Sequence, residues 1–151
     1  MYLIFDLDDT LLDTSATAGK FKLMEVAQLW HRMGVLDEDP GRSEQQHRKM
    51  EAAGLDPARF DHVRIVEQGG KRAAFQDIAE SWGLASGPGF GWVVVIGDRY
   101  LTDIAPAKEL GMRTVMVGNQ KAEQEPDARI VALEELAPIL ALWRRERHGN
   151  H

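Results

Sequence analysis

The chain has 151 residues, 44% of them hydrophobic and 28% charged, with a net charge of −6 and no cysteine. That composition predicts a single folded domain over 1–151 and excludes a disulfide framework, a thiolate metal site and broad electrostatic attachment to nucleic acid or acidic membrane. No apolar run approaches the roughly 20 residues that cross a bilayer, the N-terminus lacks the basic segment of a secretory signal, and the absence of cysteine fits a cytoplasmic protein.

In chain order, YLIF (2–5) reads as a short buried strand and runs directly into Asp6, Asp8 and Asp9 of FDLDDT. From Lys20 to Met33 the apolar residues Leu23, Val26, Ala27, Trp30 and Met33 recur at helical spacing, and Gly34 can end that helix. VLDEDPGR (35–42) is polar, carries Pro40 and Gly41, and makes a poor strand. Ser43 and Gln46 have capping-box spacing and open a helix that stops at Gly54. HVRIV (62–66) is a plausible strand, and GGK leads from it into a helix with Phe75, Ile78, Ala79 and Trp82 on one face.

GLASGPGFG (83–91) is the clearest loop, and its glycines lack the spacing of a phosphate or dinucleotide cradle. WVVVI (92–96) follows as a strand apolar enough to be buried on both faces. GDRYLTD then enters a short helix ending near Gly111, RTVMV (113–117) is another buried strand, and RIVAL (129–133) is a weak one. A C-terminal helix runs from about Leu133 into the basic tail WRRERHGNH, whose cations suit a helix C-terminus and solvent.

Strands alternating with helices imply a doubly wound, Rossmann-like α/β fold: a parallel sheet with helices on both faces. Ligands of such sheets bind at the carboxyl ends of the strands. Those ends carry FDLDDT, EQGGK, IGDRYLTD and VGNQ. On an extended backbone Asp6 and Asp8 project the same way, whereas Asp9 points elsewhere and serves as a backbone acceptor. Two carboxylates so close need a counter-charge or a proton. Mg²⁺, which binds through one or two carboxylates plus water and substrate phosphate, meets that need. If the first strand neighbours WVVVI, Asp98 faces Asp6 and Asp8, with Asp103 one short turn further on. The histidines share no ligand spacing, and Trp30, Trp82 and Trp92 fit core positions.

FDLDDTLL, VIGDRYLTDIAPAKELGMRTVMV and PDARIVALEELAPIL together resemble the haloacid dehalogenase superfamily of phosphohydrolases. The resemblance covers most of the chain and implies a HAD-like sheet without a sizeable cap domain. It makes Asp6 the nucleophile, forming an aspartyl-phosphate, and Asp8 the general acid and base. It places Mg²⁺ on Asp6, Asp98 and the Asp8 backbone carbonyl, with Asp103 and Thr10 in support. Lys71 matches the family's lysine before a helix and is the cation for the phosphoryl oxygens, with Arg72 as the neighbouring alternative.

The family's second motif is an apolar strand ending in Ser or Thr, and here PGR stands in that place. Asp37, Glu38 and Asp39 do not suit a central buried strand. Ser43 is the nearest substitute phosphate ligand, although it also suits a helix cap. Short connections at 11–20 and 66–71 imply an open site, and so a bulky or macromolecular phosphorylated substrate or closure by a partner subunit. The first reading is a Mg²⁺-dependent phosphatase. The alternative is a degenerate relative that binds metal, a phosphorylated ligand or a partner without turnover. A dehalogenase is disfavoured by Asp8, and a receiver domain by the nucleophile's place on the first strand.

Overall fold

A computed structural model describes residues 2–6, 32–37, 62–65 and 69–149. The strands are β1 (Tyr2–Asp6), β2 (Arg32–Asp37), β3 (His62–Ile65), β4 (Val93–Gly97), β5 (Arg113–Val117) and β6 (Ala128–Ile130). They form one six-stranded sheet in the order β3-β2-β1-β4-β5-β6, and every pairing is parallel. The helices are α1 (Lys71–Ser81), α2 (Ala105–Glu109) and α3 (Leu136–Gly149).

Strand chemistry explains the centre of the sheet. Leu3, Ile4, Phe5 and all of Val93 to Ile96 are buried, so alternate side chains on both faces are covered. On one face Ile4, Val93 and Val95 share a cluster with Ala74, Phe75, Ile78 and Ala79 of α1 and with Ala107 of α2. Those α1 positions repeat at helical spacing, as expected from the sequence, and Trp82 packs partly buried against the same cluster while its ring stacks on Tyr2. Helix α3 buries Leu136, Leu140 and Trp143 along one stripe, and the Arg113 guanidinium lies 4.8 Å over the Trp143 ring.

Connectivity then decides where a ligand can bind. The strand order runs outward from β1 in one direction through β2 and β3, and in the other through β4, β5 and β6. The chain therefore reverses its winding between β1 and β4, which opens a crevice at their carboxyl ends. Phe5 pairs with Ile96, so Asp6 and Gly97 are the next residues on the two strands and Asp98 follows directly.

The structure corrects the reading of the second strand. Helical spacing led to the expectation of a helix through Met33, and VLDEDPGR was expected to be too polar for a central strand. Instead β2 begins at Arg32, pairs with β1 from Tyr2 onward and with β3 on its other edge. Hydrogen bonding along both edges outweighs the weak local propensity of this segment. Leu36 pairs with Asp6, so Asp37 occupies the carboxyl end of β2, where polar residues are ordinary, rather than its centre.

Elsewhere the boundaries move by a residue or a turn. The last strand is Ala128–Ile130, and Leu133–Glu135 forms a 3₁₀ turn before α3. The expected helices over 20–31 and 43–54 lie outside the described residues. So do most of the connections that bear on the expectation of no cap, and no cap domain is present among the described residues. Among them, no helix is long and apolar enough to cross a membrane.

Candidate active site

The crevice between β1 and β4 gathers four buried charged side chains: Asp6, Lys71, Asp98 and Asp103. Each arrives from a different local structure. Asp6 is the last residue of β1, and Asp98 follows β4. Lys71 is the first residue of α1, a place where the helix dipole disfavours a cation. Its ammonium is stabilised instead by two carboxylates, donating to Asp6 Oδ1 at 2.8 Å and to Asp103 Oδ1 at 2.5 Å.

Asp103 is fully buried and sits in a π-helical turn over Tyr100–Ile104. The turn closes on itself, because the Arg99 N–H donates to Asp103 Oδ2 at 3.1 Å and the Asp103 N–H donates to the Arg99 carbonyl at 3.0 Å. This packing requires Gly97. A Cβ there would lie 2.5 Å from both Cβ and Oδ2 of Asp103. Sequence reasoning singled out Asp103 but missed Gly97; its signal was a glycine between a β-branched strand and an aspartate.

The electrostatics are those of a site short of positive charge. Burial, and next the Asp103 carboxylate, push the Asp6 carboxyl from an ordinary 3.8 up to about 8, against the opposing pull of Lys71. Burial likewise raises Asp103 despite Lys71 and the Arg99 N–H. Burial alone would lower Lys71, but the Asp103 and Asp6 charges outweigh it and raise it. Among the described residues, one ammonium among three carboxylates leaves a deficit of the kind that a divalent cation offsets.

Two observations fit that cation. Carboxylate oxygens of Asp6, Asp98 and Asp103 lie within 4.8 Å of one another. Asp98 Oδ1 is buried with no hydrogen-bond donor among the described residues, an arrangement costly for a carboxylate unless something else ligates it. Hard oxygen donors of this kind suit Mg²⁺. Thus the structure brings together Asp6, Lys71, Asp98 and Asp103, as the strand-end reading expected. Asp8, Thr10 and Ser43 lie outside the described residues. Arg72 is exposed and pairs with Glu109 at 3.0 Å, so it does not share the cluster.

Beside Asp98, a cleft of about 880 Å³ opens between residues 98–102 and 120–123. The second wall is a loop held from both ends. The Gly118 N–H donates to the Ile130 carbonyl at 2.8 Å, and Arg129 Nη1 donates to the Gln120 carbonyl at 2.8 Å.

Comparison with known proteins agrees with this geometry. Residues 70–138 match the family model described as HAD-hydrolase-like, a stretch that holds Lys71, Asp98 and Asp103. Just under half of the chain is thus similar to the HAD-hydrolase-like family. The resemblance read from FDLDDTLL and GDRYLTD is upheld. None of the curated proteins matches the chain.

Among solved structures, an uncharacterized protein from Listeria monocytogenes serotype 4b superposes with a TM-score of 0.73 at 17% identity, over 96% of this chain and 99% of that one. The putative HAD-hydrolase YfnB from Bacillus subtilis, bound to magnesium, gives 0.67 at 16% identity over 92% and 97%. The core domain of a putative phosphoglycolate phosphatase from Streptococcus pneumoniae gives 0.65 at 18% identity over 93% and 95%. At these identities the likeness is one of fold, and the fold is HAD-like.

Proposed function

We propose that this HAD-like protein is a Mg²⁺-dependent phosphohydrolase that works through an aspartyl-phosphate on Asp6. The observation that carries the reading is the ion-paired cluster at the β1–β4 crevice, where Asp6 is buried against Lys71 and beside the unpartnered Asp98 oxygen. Phosphatases among the structures of like fold support it, and so does the magnesium named for YfnB.

In this reading an Asp6 oxygen attacks the phosphorus of a phosphate monoester. Asp8 gives a proton to the departing alkoxide, then takes one from the water that cleaves the aspartyl-phosphate, returning Asp6 and inorganic phosphate. Lys71 fixes the Asp6 carboxylate and faces the charge that spreads over the phosphoryl oxygens. Asp103 holds the Lys71 ammonium in that place. Mg²⁺ on Asp6, Asp98 and the Asp8 carbonyl would supply charge neutralisation for those oxygens and for the clustered carboxylates. The family's second motif ends in Ser or Thr, whereas here β2 ends at Asp37 and no hydroxyl residue stands between it and Ser43.

That departure favours a second reading, in which the site binds metal and phosphorylated ligand without turnover. Hydrolysis of p-nitrophenyl phosphate with Mg²⁺, measured beside Asp6→Asn, separates the two. The phosphohydrolase loses at least about 10³-fold in kcat on losing its nucleophile. Equal rates for both proteins remove the reading, and Mg²⁺ binding with no hydrolysis across a panel of esters selects the second.

A further inference from the structure

The phosphoryl site accounts for Asp6, Lys71, Asp98 and Asp103 but not for the cleft beside it. At about 880 Å³ the cleft is in the upper range of small-molecule pockets and many times the size of a phosphoryl group. It begins at Asp98 itself, so a ligand whose phosphate lies in the crevice has its remaining atoms directed along it.

Its two walls are tied to one another and to the sheet. The Gln124 N–H donates to the Tyr100 hydroxyl at 3.1 Å, which ties the loop after β5 to the turn that carries Asp103. Arg129 clamps the same loop, through the Gln120 carbonyl and through Glu125 at 3.1 Å. Such ties lower the ordering cost of binding.

The lining has two chemical characters. Tyr100, Leu101 and Ala122 give an apolar surface, and Leu101 is 76% exposed to solvent at its rim. Arg99 on one wall and Lys121 on the other are cations, and neither has a carboxylate partner among the described residues. In a chain with a net charge of −6, these two cations offset Asp98 and Glu123 of the same lining, so the cleft is locally balanced where the chain as a whole is acidic. Glu123 on the Lys121 wall disfavours a ligand of high negative charge.

We infer that this cleft is the leaving-group subsite, and that the substrate is a small phosphate monoester whose leaving group has an apolar body and one acidic group read by Arg99 and Lys121. The inference rests on the phosphohydrolase reading for its chemistry, but its binding can be tested without turnover.

Three phosphate compounds resolve its parts: the acyl phosphate acetyl phosphate, and the esters phenyl phosphate and 4-carboxyphenyl phosphate. The wild-type chain should favour 4-carboxyphenyl phosphate over phenyl phosphate in KM. Lys121→Glu should raise KM for the carboxylated ester about tenfold with kcat unchanged, and leave acetyl phosphate within twofold. Ala122→Trp, which fills the cleft, should raise KM for both aryl esters and spare acetyl phosphate. Calorimetry of 4-carboxyphenyl phosphate with Asp6→Asn in Mg²⁺, alone and combined with Lys121→Glu, reads the subsite independently of catalysis. Binding weakened about tenfold by Lys121→Glu supports the subsite even if no ester is hydrolysed, in which case only the phosphohydrolase reading falls. Equal affinity for all three compounds, or indifference to both substitutions, overturns the subsite while leaving hydrolysis intact.

Discussion

Asp103 is packed against the end of β4 so closely that the residue beneath it has no room for a side chain. A Cβ on Gly97 would lie 2.5 Å from the Asp103 carboxylate oxygen. Gly97→Ala therefore has to displace Asp103, and with it one of the two anchors of Lys71. Overpacking of this kind costs about 1–3 kcal/mol, a fall in melting temperature of about 2–12 °C for a chain of this size. Mg²⁺ affinity should fall as well, because the ammonium and the carboxylates rearrange together. Thermal denaturation with a metal titration checks both, and an unchanged melting point would mean that Asp103 tolerates a different seat. At this scale Asp6 and Asp98 were legible in the sequence as carboxylates at the ends of apolar strands, whereas Lys71 and the supporting place of Asp103 came only from the resemblance to a family. Gly97 was not legible, because its role depends on a contact with a residue six positions on that only the folded turn creates. The Arg129 clamp and the Tyr100 bridge are hidden for the same reason: each joins segments distant in sequence through backbone groups that any residue possesses.

Helix α1 joins the core to the site. Its first residue, Lys71, faces Asp6 and Asp103, and its buried stripe of Ala74, Phe75, Ile78 and Ala79 presses on the sheet beneath them. Ile78 is fully buried at the middle of that stripe. Ile78→Ala should cost about 2–5 kcal/mol in chemical denaturation, through lost burial and the cavity left behind. An exposed position such as Arg72 offers the contrast, since its ion pair with Glu109 is open to water on both sides and contributes little. A cost at Ile78 no greater than at Arg72 would contradict the packing described. Periodicity announced α1 well before the structure did, because a helix that buries one face must repeat its apolar residues near 3.6. It misled at Arg32 and Met33 for a related reason. Met33 falls in phase with Val26 and Trp30, yet the segment from Arg32 pairs with β1 and β3, and pairing partners leave no periodic mark on a short strand.

The whole molecule sets the pH and metal behaviour, since among the described residues the sheet places three carboxylates at one crevice with one buried lysine among them. Asp6 titrates near 8 in the folded chain and near 3.8 as an ordinary side chain. Between those values the folded state keeps a proton that the unfolded state has lost, so stability falls as pH rises through that window. The raised Asp103 acts in the same direction. In EDTA, the stability of the chain relative to Asp6→Asn, an isosteric and uncharged reference, should therefore decline from pH 5 to pH 8. Mg²⁺ bound at the crevice would reverse the preference, because a cation ligated by carboxylates favours their charged form and competes with the proton. The rise in melting temperature on adding Mg²⁺ should be larger at pH 8 than at pH 5, and at a concentration 100 times Kd it corresponds to about 2.7 kcal/mol. Asp98→Asn should shrink that rise while leaving the EDTA profile falling with pH, since it removes a ligand but not the buried Asp6. A Mg²⁺ effect equal at both pH values, or untouched by Asp98→Asn, would place the cation elsewhere on this acidic chain and detach it from the crevice between β1 and β4.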